Sequence, residues 1–139
     1  MNTGKTLFAQ VMEFIPWTSF TRIVQRYNAD SGVRRLNCAE QFRIIAFAQL
    51  TWRESLRDIE VTLGANYKKL YAMGFRHAVH KSTLADANET RDWRVWADLA
   101  ALLIKKARKS LGYKCPAELF TPEAFDFKQH HAAIFALQP

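Results

Sequence analysis

The sequence predicts an all-α fold: a compact multi-helix domain with a helix-turn-helix-like element, followed by an irregular tail. Three observations carry this. Apolar residues return every three or four positions over most of the first 109 residues. Residues suited to helix caps stand just ahead of those runs. No stretch alternates with the period of two that a half-buried strand requires.

The elements follow in order. Leu7, Phe8, Val11, Met12 and Ile15 form a helical stripe that Pro16 ends. A second helix starts at Thr18 or Ser19, carries Phe20, Ile23, Val24 and Tyr27, and stops in the turn cluster NADSG. Asn37 followed by Glu40 reads as a capping-box variant that opens a helix to Trp52. That helix is apolar nearly all round (Phe42, Ile44, Ile45, Phe47, Leu50), which places it at the centre. Ser55 and Asp58 repeat the capping logic ahead of Leu56, Ile59 and Leu63, with Gly64 at the position just past the helix. A short helix over YKKLYAM ends at Gly74. Ser82 then caps a long helix in which Leu84, Ala87, Trp93, Trp96, Ala97, Ala100, Leu103, Ile104 and Ala107 continue one stripe to about Lys109. Trp52, Trp93 and Trp96 read as core.

The division expected is a helical domain over 1–109 and an extended tail over 110–139, with one short helix at Pro116 to Phe120. The tail holds three of the four prolines. A hydrophobic content of 49% in 139 residues suits one domain with a core. No apolar run reaches the roughly 18 to 20 residues of a membrane span, and no secretory signal opens the chain. Cys38 and Cys115 are few and far apart, which fits a reducing, cytoplasmic setting.

Charge narrows the function. The net charge is +7, and residues 1–109 hold 18 of the 20 basic and 10 of the 13 acidic residues. No acidic residue lies between Glu60 and Asp86, where Lys68, Lys69, Arg76 and Lys81 fall with His77 and His80. Such a field draws polyanions, and double-stranded DNA is the expected partner; the alternative is a solvated basic face. In the stretch HKSTLADANETRDW, Lys81, Ser82 and Thr83 suit phosphate contact. Asn88 and Arg91 are types that read adenine and guanine edges. Arg91 could instead pair with Asp58 or Glu60 inside the fold. The spacer from Leu63 to Lys81 is longer than a tight turn, so a standard helix-turn-helix is not established.

Residues 1 to about 107 resemble the N-terminal domain of insertion-sequence-four-type DDE transposases, through FTRIVQRYNAD, FRIIAFAQLTWRESLRDIE and LYAMGFRHAVHKSTLADANETRDWRVWADLA. The resemblance implies a segment that precedes a ribonuclease-H-like catalytic domain and helps to bind transposon ends. RKSLGYKCPAELF instead resembles the closing residues of insertion-sequence-thirty-like and integrase-like transposases, which implies a chimeric or truncated frame with a junction near Arg108.

Catalysis is not expected. DNA cutting needs three carboxylates converging on metal ions. The family's Asp-Ser-Thr strand end and its Tyr-x-x-Arg…Glu…Lys signature are absent here, and Glu118 matches no catalytic residue. His77 and His80 make at most half a metal site, His130 and His131 lie in the tail, and neither cysteine has a neighbouring base. The expectation is a DNA-binding domain without catalytic residues, metal, cofactor, membrane or small-molecule substrate, with other transposase subunits as a further partner. The alternative is a helical remnant that works as a protein-interaction module or as an inhibitor of full-length transposase.

Overall fold

The computed structural model describes residues 6–111. Seven α-helices and one 3-10 turn occur among the described residues, and no strand does, as an all-α chain requires. In order these are α1 (Leu7–Met12), α2 (Trp17–Arg26), α3 (Cys38–Leu50), α4 (Leu56–Ala65), α5 (Tyr67–Leu70), the 3-10 turn Tyr71–Met73, α6 (Lys81–Thr90) and α7 (Arg94–Leu111).

They form two compact units where one was expected. The first joins residues 6–15 to 30–91, and the second joins 16–29 to 92–111. The expected tail helix at 116–120, Cys115, Glu118, His130, His131 and most of the stretch resembling the other transposase group lie outside the described residues.

In the first unit Leu36, Ile44, Phe47, Ile59, Leu63, Leu70, Met73, Phe75, Leu84 and Ala87 close one core. Phe8 of α1 enters it, stacked on Phe75 and edge-on to Phe47, each at 5.7 Å between ring centroids. Such pairs contribute about 0.5 to 1.5 kcal/mol beyond the area they bury. Leu7, on the expected stripe, is exposed instead. In the second unit α2 packs on α7. Phe20 lies between Trp17 and Trp96, and Val95 and Leu99 are buried with it.

Local chemistry sets the helix ends. Asn37 Oδ1 accepts the Glu40 N–H at 2.8 Å, and Ser55 Oγ accepts the Asp58 N–H at 3.1 Å, so both expected N-caps form. The C-terminal ends of α2, α3 and the 3-10 turn share one geometry, in which a left-handed residue turns the chain and two N–H groups return to carbonyls of the last turn. Those residues are Asn28 (φ 52°), Trp52 (φ 54°) and Gly74 (φ 86°). At Gly74 the Phe75 N–H reaches Leu70 O at 2.9 Å and the Gly74 N–H reaches Tyr71 O at 3.0 Å. Gly64, expected just past α4, lies inside it; Asn66 ends that helix.

Three further expectations are corrected. The second helix starts at Trp17, after Pro16, with no side-chain cap. The long helix from Ser82 is two helices: Arg91 is extended (φ −79°, ψ 141°) between α6 and α7, and Asp92 Oδ1 accepts the Arg94 N–H at 3.0 Å. In α7 itself Val95 and Leu99 are buried where the unbroken stripe has Trp93, which is exposed. Trp52 is 89% exposed, since its left-handed turn carries the ring away from the core side of α3.

Candidate nucleic-acid interface

The front of α6 is tied to α4. Glu60 Oε1 meets His80 Nδ1 at 2.9 Å. The His80 hydrogen bond, with the Lys81 N–H and charge adding to it, holds the Glu60 carboxyl below its usual range. His80 rather than Ser82 is the N-cap residue, and it makes no side-chain cap bond. Lys81, Ser82 and Thr83 therefore form the first turn of α6, a turn without an acidic residue. Lys81 and Ser82 are exposed and Thr83 is half-buried.

Beside this turn lies a cleft of about 390 Å³, lined by Arg34, Arg35, Glu40, His77, His80 and Thr83 among others. Arg34 and Arg35 come from the loop between the NADSG turn and α3. They are exposed and make no hydrogen bond or ion pair among the described residues. Glu40, 6% exposed, contributes a buried Oε1 with no hydrogen-bond partner. The reciprocal half of the expected capping box is thus not made. Close by, burial pushes the Arg43 guanidinium below its usual pKa; Glu40 opposes that shift and Arg76 adds to it. Arg43 also lies against Gly74, where an added Cβ would stand 3.3 Å from Nε.

Arg76, His77, His80, Lys81 and Thr83 thus fall around one region, and Arg34, Arg35 and Glu40 join them from α3 and the loop before it. Sequence reasoning passed over those three, although the adjacent arginines after a turn cluster were a readable signal. Lys68 and Lys69 sit exposed on α5, and neither lines the cleft. Lys68 Nζ stands 5.9 Å from the centre of the Tyr67 ring.

Asn88 and Arg91, expected to read base edges, are buried and committed inside the first unit. Gln41 Nε2 donates to Asn88 Oδ1 at 2.6 Å, and Arg91 Nη1 donates to Gln41 Oε1 at 2.7 Å. Arg91 Nη2 donates to the Leu36 carbonyl and stands 3.8 Å from Asp30 Oδ1. Asp30, not Asp58 or Glu60, is therefore its acidic neighbour. The same Asp30 oxygen accepts the Cys38 N–H at 2.8 Å. Side chains spent this way cannot present donors to a groove. In the structure both side chains meet α3 and are buried, apart from the exposed first turn of α6.

Among the described residues no group of three or more His, Cys, Asp or Glu side chains is placed to hold a metal ion. No described helix is long and apolar enough to cross a membrane.

With this geometry in place, the comparisons give a class. A family model described as a domain of unknown function, DUF4372, matches residues 3–76, and the chain belongs to that family. The match covers α1 to α5, Arg34, Arg35 and Glu40, and it ends at Arg76, ahead of α6. No curated protein and no solved structure matches the chain.

Proposed function

We propose that this chain is a DNA-binding module of a transposase of the insertion-sequence-four type, which grips duplex DNA at transposon ends and does not cut it. The observation that carries the reading is the basic cleft beside the first turn of α6. Arg34 and Arg35 there have no acidic partner among the described residues, and Thr83 lines the same cleft from the turn that carries Lys81 and Ser82. Exposed guanidinium and ammonium groups beside a helix start suit phosphate oxygens. Domains of this family are commonly found in transposase-like proteins, which favours the same partner.

In this reading Arg34, Arg35, Arg76, Lys81, Ser82 and Thr83 take phosphates, and Lys68 and Lys69 extend the field along α5. Asn88 and Arg91 hold α6 in place. Amide chemical shifts followed during titration with a short duplex test this. The largest changes are expected at Arg34, Arg35 and residues 76–83. Changes centred elsewhere, or none at low salt, would overturn it.

A second reading, contact with another protein, draws on the exposed Leu7, Phe14, Trp52 and Tyr71. Large apolar side chains in water commonly mark such surfaces where they are contiguous. Light scattering across a concentration series decides whether the chain pairs with itself.

A further inference from the structure

We propose that the cleft beside α6 binds one unpaired guanine nucleotide, with the Glu40 carboxylate on the base and Arg34 and Arg35 on the phosphate. The proposal rests on the DNA-binding reading above and names what that site selects.

The starting point is Glu40 Oε1. It is buried and has no hydrogen-bond partner, and Glu40 is one of the residues that line the cleft. A buried acceptor left unmatched costs about 1 to 3 kcal/mol, more if charged, so a ligand that supplies donors regains that cost on binding. Arg43 lies near enough to Glu40 and to Arg76 to feel both by charge, but no hydrogen bond fills the open acceptor. The cleft therefore asks for a ligand with donors on one edge and negative charge on another.

Duplex DNA supplies phosphates for Arg34 and Arg35, but its grooves show only single exocyclic amine donors with acceptors beside them, so no paired base offers one carboxylate two adjacent donors. Among the four bases, guanine alone sets two adjacent donors, N1–H and N2–H, where one carboxylate can take both. Its O6 and N7 remain as acceptors for a guanidinium or an imidazole. His77, His80 and Thr83 stand on the same walls to meet them. Adenine and cytosine each give one amine donor on that edge beside an acceptor that would repel the acid. A volume of about 390 Å³ falls within the range of about 300 to 1,000 Å³ usual for small-ligand clefts. A base that is already unpaired, as in a single-stranded overhang, costs least to accommodate.

The test uses the full chain and calorimetric titration with the monophosphates of guanosine, inosine, adenosine and cytidine. Guanosine monophosphate is expected to bind at least tenfold more tightly than adenosine or cytidine monophosphate. Inosine monophosphate, which lacks only the N2 amine, should fall between. Glu40→Gln should abolish the preference while keeping the melting temperature, and Arg34→Ala with Arg35→Ala should weaken all four alike. Equal affinity for guanosine and inosine monophosphates would overturn the proposal without any variant.

A second arm compares a blunt duplex with one bearing a single unpaired 5′ guanine. Tighter binding of the overhang, by about tenfold, assigns the site to DNA ends; equal binding of the two duplexes contradicts that assignment. Salt-sensitive duplex binding without guanine preference sinks this proposal and leaves the DNA-binding reading standing. Guanosine monophosphate binding without duplex binding does the reverse.

Discussion

Arg91 Nη1 donates to Gln41 Oε1 across 2.7 Å, joining the end of α6 to the first turn of α3 inside the first unit. Together with the Gln41–Asn88 bond and the Leu36 carbonyl, this places three polar side chains within an otherwise apolar packing. A buried network of this kind fixes one register of α6 on α3, because any slide leaves its members unpaired.

Arg91→Ala should therefore lower stability by about 3 kcal/mol, since Gln41 and the Leu36 carbonyl lose their donor and stay buried. Asn88→Ala should cost about 1 to 3 kcal/mol. Urea melts measure both. A loss under 0.5 kcal/mol for Arg91→Ala would show that the network does not hold the fold.

These two residues mark the border of what local pattern can reveal. Asn37, Ser55 and Gly74 were legible because a cap or a left-handed turn is decided within four residues. The break at Arg91 was not, because it depends on partners 50 and 55 residues away. Without them, Leu84 to Ala107 reads as one stripe. Trp52 was misplaced for the converse reason: residue type suggested core, while the end of α3 sends it outward. Of the candidate site, the run from Arg76 to Thr83 was readable from charge. Arg34, Arg35 and Glu40 reach it only through the packing of α3 against the segment before α6.

Cys38 is fully buried, and burial first, with the Asp30 hydrogen bond second, pushes its thiol up to about 12. The thiolate is the reactive form, so at neutral pH the native protein should not label at this position. In a Cys115→Ser background, a disulfide reagent should react only after denaturant is added. Fast labelling of the folded protein would contradict the burial.

The His80–Glu60 contact predicts acid sensitivity. Glu60 is held below its ordinary value of 4.5 in the folded chain, so the unfolded chain binds its proton first as pH falls. Its contribution is complete above about pH 4.5 and disappears as pH drops through the lower folded value. Glu60→Gln should flatten the melting temperature between pH 3 and 5 relative to wild type. Unchanged curvature would mean that the contact is not made in solution.

Trp52 makes a test of opposite sign. A non-glycine residue in the left-handed region costs about 1 to 2 kcal/mol, and an exposed ring has little packing to lose. Trp52→Gly should leave the melting temperature equal or higher. A core tryptophan removed in this way would cost about 3 to 5 kcal/mol, and a loss of that size would place Trp52 inside.

The measurement that bears most directly on DNA binding is duplex affinity against salt, read by fluorescence anisotropy. If the cleft and the first turn of α6 neutralise phosphates, log affinity should fall linearly with log salt, by about 0.9 for each phosphate engaged. Arg34→Ala, Arg35→Ala and Lys81→Ala should each reduce that slope by about 1 and weaken all sequences alike. Slopes identical to wild type in all three variants, or no salt-dependent binding at all, would contradict the account.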